Sequence, residues 1–499
     1  MLTRRALLQI TAAASVAGVL PFRPARAQAS LPQRRSLHEM DLDDPVLVAL
    51  RDFVTRMKDP ARNGQPLSWI GFANIHGTPA GFNLCPHGNW YFLPWHRGYV
   101  HMYEQAVRAL TGSADFAMPY WDWTAHPDFP AAFGDQQFDG RPNPLFVPGR
   151  LMTTGDAIDL SVSGPAVLDG IMNQLNFEEF GSSRPAGQNS SDATWIRRPG
   201  VQGPLEANPH NNIHCDIRGP FMCAGTSPQD PIFQMHHCNI DRIWDAWIRS
   251  GRSDAASTLW RNTVFQDNYI DPTGASYSWS VSDLLAPEPL GYTYLAPEPE
   301  PEPEIAYSDP GRDLYLQYLV GAELGGDALR LPGTAQAGQI AAAPDAPASV
   351  RLDTSGLNLR AAGNSDLARS MQEAGLARPR AKLFLRIVQP DLPDGTRLRV
   401  FVNSPDATAE TATDGNPNYV TSIGFFGVGP GGGMMMQGMD HGGTEGHQPV
   451  EGPSFAVDLP AAAIDETAGE ITVQLVPIPQ AESDKAGPVV VKSVELAVL

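Results

Sequence analysis

A mostly helical domain followed by an all-β domain is predicted by three features of this 499-residue chain. Apolar residues recur at helical spacing over residues 46–57 and 95–110. Residues 296–304 then alternate Pro and Glu after Ala296, a run that forms neither helix nor sheet ladder and repels itself, so it reads as a stiff linker. Beyond it, residues 382–388, 397–402, 419–426, 471–476 and 489–499 are short, β-branched stretches punctuated by Pro, Gly, Asp and Asn. That is the pattern of an antiparallel sandwich or barrel. The expected organisation is a leader at 1–27, a helical domain at 28–295, the Pro-Glu linker at 296–304 and a β-rich, sandwich-like domain at 305–499.

The leader rests on a charged start, Thr3-Arg4-Arg5, an apolar stretch over 10–20, and Ala25-Arg26-Ala27 before Gln28. These are the parts of a cleavable export signal. The paired arginines point to the twin-arginine route, which carries folded proteins across bacterial membranes; a plain secretory leader is the other reading. A periplasmic or secreted protein is expected. Against 35 Lys and Arg stand 55 Asp and Glu, a net charge of −20. Nucleic acid and anionic membrane surfaces, which need a basic face, are excluded as main partners. No apolar run reaches the ~20 residues a bilayer span requires. Four Cys in a chain of this length make no disulfide scaffold.

The 12 His are placed far less evenly than chance would put them. In Glu206-Ala-Asn-Pro209-His210-Asn211-Asn-Ile-His214, two imidazoles lie at i and i+4, one turn apart on a helix face, with Pro209 expected near the helix start. In Asp230-Pro231-Ile-Phe233-Gln-Met-His236-His237-Cys-Asn-Ile-Asp241, Asp230 can cap a helix, and one of the two His faces inward. Asp241, one turn after His237, is placed to orient groups near the rings. Three imidazoles from two helices suit copper or zinc. A second group comprises His76, His87 in Cys85-Pro-His87-Gly, and His96 at the start of an amphipathic helix. Ordinary polar residues in turns would look the same for the first two.

Together the segments Cys85-Pro-His-Gly-Asn-Trp-Tyr-Phe-Leu-Pro-Trp-His96 and 230–241 resemble the two metal signatures of the type-3 dicopper family of tyrosinases, polyphenol oxidases and hemocyanins, over roughly residues 35–295. The resemblance implies a mainly α helix-bundle domain that carries two copper ions and uses dioxygen as co-substrate. One copper would be held by His76, His87 and His96 and the other by His210, His214 and His237, with His236 behind them. Phe233 would pack on a ligand ring and limit access. Cys85 resembles family cysteines joined by a thioether to a ligand His, here His87; a buried free thiol is the alternative. Glu206 and Asn211 would hold a water that deprotonates a phenol, or else be a first-turn acid and a surface amide. Ala224, thirteen residues before His237, stands where similar catechol oxidases carry a bulky Phe, so a wider entrance is implied. Cys215, Cys223 and Cys238 surround the second signature and could include one disulfide.

After the helical domain, Tyr292-Thr-Tyr294 and Arg397-Leu-Arg-Val-Phe-Val-Asn403 resemble parts of plant polyphenol oxidases whose C-terminal domain covers the active site until removed; such a domain could equally be purely stabilising. A Gly-rich segment carries Met434, Met435, Met436, Met439 and His441, soft ligands that suit Cu(I) and suggest copper delivery, or a Met or aromatic laid over the copper pocket. The function expected is a tyrosinase: monophenol to o-diphenol to o-quinone. The alternatives are a catechol or o-aminophenol oxidase, a hemocyanin-like dioxygen carrier and, least of all, a zinc hydrolase, which usually recruits a carboxylate ligand. Small phenols are the expected partners.

Overall fold

In the computed structural model, residues 31–294, 335–362, 381–387, 395–426, 453–464, 469–480 and 486–498 are described. The expected leader, the Pro-Glu run and the segment bearing Met434, Met435, Met436, Met439 and His441 lie outside the described residues. In the helical part, a short strand β1 (Gln33–Arg34) precedes α1 (Pro45–Met57). Asp44 accepts the Val46 N–H and Pro45 occupies the first turn, two start signals that together fix where α1 begins. Leu47, Leu50, Phe53, Val54 and Met57 form its buried stripe. Helix α2 (Trp69–His76) is capped by Ser68, whose Oγ accepts the Gly71 N–H. Helix α3 (Phe92–Thr111) is buried along most of its length and ends at Gly112, whose φ of 75° closes the last turn.

A short strand β2 (Val201–Gln202) leads to a helical stretch that departs from expectation. Helix has already formed at Pro204, so Pro209 lies inside it rather than in its first turn. Residues Glu206–His210 adopt a π turn, which widens the helix where Pro209 has no N–H to give, and α4 (Asn211–Ile217) continues from it. Helix α5 (Ile232–Arg249) begins after Asp230, whose carboxylate accepts the Ile232 N–H and a two-pronged pair from Arg150. Strand β3 (Thr293–Tyr294) then runs parallel to β1, tying both ends of the helical part together.

That tie is electrostatic as well. Buried Arg34 pairs with Glu104 at 2.9 Å and with Asp241 at 3.1 Å, and its guanidinium lies 3.4 Å above the Tyr292 ring. Asp241 also accepts from Arg97, Tyr292 and Tyr294. The sequence reading placed Asp241 beside the histidine rings; its carboxylate instead closes this network. The cause is a pair of distant partners: Arg34 and Arg97, 207 and 144 residues away in the chain, draw the carboxylate toward β1 and α3.

The β-rich part comprises two sheets. Its strands are β4 (Ala335–Ala337), β5 (Ile340–Ala342), β6 (Ala348–Asp353), β7 (Ala381–Ile387), β8 (Thr396–Val402), β9 (Tyr419–Gly424), β10 (Ser454–Asp458), β11 (Glu470–Pro479) and β12 (Val489–Val498). One sheet has the order β4-β12-β7-β10-β2, with β5 also on β12; the other is β6-β11-β8-β9. Leu383, Leu385 and Val494 of the first share an apolar cluster with Val350, Val400 and Val473 of the second. Each of the five stretches read as strands has a counterpart; β4, β5 and β10, of three to five residues, are too short to show a period, whereas β6 alternates apolar and polar residues from Ala348 to Asp353 and was legible.

The two parts are joined by more than the chain. Strand β2 of the helical part adds in parallel to β10, Val201 opposite Ser454 and Gln202 opposite Phe455. Buried Lys382 bridges Glu179 at 3.0 Å and Asp458 at 2.9 Å, and Arg397 pairs with Asp216. Residues from Pro32 onward accordingly form one unit.

Candidate metal centre

Each histidine of the first group comes from a different piece of backbone. His76 ends α2, His87 lies in the irregular segment between α2 and α3, and His96 is on the second turn of α3. Their ring centroids are 5.0–5.6 Å apart. The second group is more regular: His210 and His214 on the π turn and α4, His237 on α5, with centroids 4.7–5.2 Å apart. The groups face each other, His96 stacking on His237 at 4.4 Å and His87 lying 5.6 Å from His210.

Hydrogen bonds set the ring tautomers. The Nδ1 atoms of His76, His96 and His214 lie 2.8–2.9 Å from the carbonyl oxygens of Gly225, Phe92 and Met222. His210 Nδ1 lies 2.9 Å from Asn211 Oδ1. These oxygens only accept, so each Nδ1 carries the proton and each Nε2 presents a lone pair. The Nε2 atoms of His76, His87, His96 and His210 are buried with no hydrogen-bond partner, and those of His214 and His237 approach each other to 3.1 Å. Burial drives all six imidazoles toward the neutral form, His76 to about 4 and the others well below the ordinary value. Neutral, desolvated nitrogens with oriented rings and nothing to bond are the donor set that copper takes, and the residues fit two such ions. His236 is also buried, its ring stacked 5.5 Å from His210.

The Gly225 carbonyl reaches His76 only because two glycines meet. A Cβ on Gly77, directly after His76, would stand 2.5 Å from Gly225 O. Gly77 and Gly225 were thus readable signals that carried no meaning without their partner.

Cys85 Sγ donates to His76 O at 3.1 Å and lies 3.5 Å from His87 Nδ1. Cys215 and Cys223 form a disulfide, and Cys238 is a buried free thiol near Tyr294. Glu206 is wholly buried; Oε1 accepts the Gly88 N–H and Oε2 the Ser182 O–H, both at 2.6 Å. Burial outweighs those bonds and pushes its carboxyl up to about 8. Asn211, also buried, accepts from His210 and donates from Nδ2 to Gln202 Oε1 at 2.9 Å and to Gly424 O at 3.2 Å. Phe233 lies between the groups, 4.2 Å from the His237 ring and 5.1 Å from His76. Ala224 is exposed, next to Gly225.

One aromatic escaped the sequence reading. Phe426, just beyond β9, stacks on His214 at 4.1 Å and 21°, and lies 5.2 Å from His87 and 5.4 Å from His210. A Met or aromatic side chain over the rings was sought in the Gly-rich segment bearing Met434; the residue found there precedes that segment. Nothing in the local sequence marks Phe426, since its role depends on where β9 docks.

Residues 66–198 and 148–250 match the family described as the common central domain of tyrosinase. A tyrosinase of Hahella sp. (strain CCB-MM4) is 32% identical over 235 residues, 43% of this chain and 48% of that protein. The chloroplastic polyphenol oxidase C of Solanum lycopersicum is 28% identical over 318 residues, 56% of this chain and 49% of that protein. The chain thus spans about half the length of the curated relatives it matches. Latent apple tyrosinase superposes with a TM-score of 0.62 over 94% of this chain and 97% of that one, at 18% identity, a likeness of fold. Among the described residues no helix is long and apolar enough to cross a membrane. Two triplets of buried imidazoles thus stand on that fold, and residues 66–250, which hold all six, carry the central domain of tyrosinase, a match to the type-3 copper family of tyrosinases and polyphenol oxidases.

Proposed function

We propose that the protein is an exported phenol oxidase that ortho-hydroxylates monophenols and oxidises o-diphenols to o-quinones with dioxygen. The observation that carries this reading is the set of buried neutral imidazoles whose unbonded nitrogens converge from two sides. His76, His87 and His96 hold one copper, His210, His214 and His237 the other, and His236 backs His210. Held by these imidazoles, a copper pair would supply the two-electron chemistry by which dioxygen is reduced. The chain orients the rings, excludes bulk water and moves a proton. Glu206 suits the proton step, because a carboxyl held near 8 exchanges its proton close to neutral pH. It stands on the π turn that ends in His210.

Phe426 occupies the place over His214 where a phenol ring would stack, so the full chain is latent until β9 moves or the Pro-Glu run is nicked. Exposed Ala224 leaves the approach broad. A thioether from Cys85 to the His87 ring, formed by loss of two hydrogens to copper and dioxygen, would lock a ring that lacks an oxygen acceptor at Nδ1. The second reading, a catechol or o-aminophenol oxidase without monophenol activity, is favoured by one observation: both amide hydrogens of Asn211 are already engaged.

Oxygen uptake by the copper-loaded chain, with a monophenol and separately its diphenol, before and after limited proteolysis, tests these readings. Monophenol hydroxylation that rises on nicking is expected. Diphenol oxidation alone would select the second reading, and reversible oxygenation without turnover would make the protein a dioxygen carrier.

A further inference from the structure

Among the described residues β9 is an edge strand, with β8 on one side and no strand on the other. Edge carbonyls need partners, and here side-chain amides of α4 provide them. Asn212 Nδ2 donates to Ser422 O at 3.0 Å and Asn211 Nδ2 to Gly424 O at 3.2 Å. Ser422 and Gly424 are two residues apart, so their carbonyls point the same way, toward the helix that carries His210 and His214. The approach is close enough to require glycine: a Cβ on Gly424 would sit 2.8 Å from Asn212 N and 2.7 Å from Asn212 Oδ1.

The second hydrogen of the Asn211 amide goes to Gln202 Oε1, and Gln202 lies on β2, the strand paired with β10. Both acceptors of this amide are therefore set by the β-rich part, one directly and one through β2. Asn211 Oδ1 meanwhile accepts from His210 Nδ1. Of these three polar contacts, the one to Gly424 is made to the β-rich part itself, the one to Gln202 reaches it through β2, and the one to His210 stays within the helical part.

We infer that Asn211 is a positioning residue whose amide is captured by docking of the β-rich part, so that latency has two separable components. This rests on the phenol oxidase reading above. Phe426 blocks entry of any phenol. Capture of the Asn211 amide withholds a donor, five residues from Glu206, from a water or phenol at the second group of histidines. Opening the plug alone then admits diphenols, which need no base-assisted hydroxylation step, more than monophenols. Releasing the strand edge restores the amide and with it the monophenol reaction.

The test uses the full chain and two substitutions. Phe426→Ala removes the plug and leaves the edge contacts; Gly424→Ala drives the edge away from Asn212. Phe426→Ala should raise diphenol oxidation more than monophenol hydroxylation, so that the monophenol-to-diphenol ratio falls. Adding Gly424→Ala should raise that ratio about fivefold, the equivalent of one uncharged hydrogen bond. In copper-free protein labelled with 15N at Asn, the Asn211 side-chain amide, assigned by its loss in Asn211→Asp, should exchange slowly in the parent and in Phe426→Ala and about fivefold faster with Gly424→Ala. If Gly424→Ala does not fold, Asn212→Ala removes the Ser422 contact without adding an atom and should loosen the same amide. An equal rise of both activities in Phe426→Ala, or amide exchange indifferent to Gly424→Ala and Asn212→Ala, overturns the inference. Absence of phenol turnover in every form, with exchange behaving as expected, would sink the phenol oxidase reading and leave the captured amide standing.

Discussion

The two groups of histidines present the same chemistry but are held in different ways. In the first group, His76 and His96 are oriented by backbone carbonyls of the helical part, and His87 has only a thiol beside its Nδ1. In the second, His214 is oriented by a backbone carbonyl, but His210 depends on Asn211, whose amide ends on Gly424 and Gln202. Phe426 reaches both groups, 5.2 Å from His87 and 5.4 Å from His210, but stacks on His214 at 4.1 Å. The contacts that orient the first group thus stay within the helical part, whereas those of the second are shared between the two parts of the molecule. A site built this way can be controlled from outside through one of its halves.

The largest expected effect separates the halves outright. His237→Ala should abolish oxygen uptake and lower copper content to one ion per chain, the remaining ion held by the first group; metal analysis after dialysis reads this. Loss of both ions would show that the groups assemble only together.

A smaller effect concerns Glu206, which touches both sides, accepting from Gly88 next to His87 and standing on the turn that carries His210. Its carboxyl is raised by burial to about 8. A raised acid contributes stability that is complete below the ordinary carboxylate pKa and lost as pH climbs through the folded value, so above about pH 6.5, where the buried neutral imidazoles no longer add a slope of the opposite sign, copper-free protein should weaken up to about pH 8. Glu206→Gln should flatten that slope in thermal unfolding curves taken across the range. An unchanged slope would place the titrating group elsewhere.

The smallest effect lies wholly in the first group. Peptide mass after copper and dioxygen exposure should show the Cys85–His87 segment lighter by two hydrogens, and Cys85→Ala should abolish that difference while costing about 1 kcal/mol of folding stability. An unmodified peptide would leave His87, like His237, without an oxygen or covalent partner to fix its ring.

What could be read along the chain, and what could not, follows from the range of the interactions. The i and i+4 spacing of His210 and His214, the Asp230-Pro231 helix start and the β-branched strands are local patterns, set by backbone periodicity and caps, and the fold class follows from them. Pro209 misled because a π turn absorbs a proline that an ordinary helix would reject. Asp241 misled because its partners Arg34 and Arg97 are distant in sequence, and an acidic residue near a metal motif looks like a ring partner until they are known. The pairing of Cys215 with Cys223, the meeting of Gly77 with Gly225 and the stacking of Phe426 on His214 needed the folded chain for the same reason.

The sequence by itself determined which side chains can take copper, because imidazole chemistry and helical spacing are carried by residues a few positions apart. Only the tertiary structure decided what covers them and which distant groups meet them, because the Gly225 carbonyl on His76, the Gly424 carbonyl on the Asn211 amide and the pairing of β2 with β10 each join segments more than a hundred residues apart.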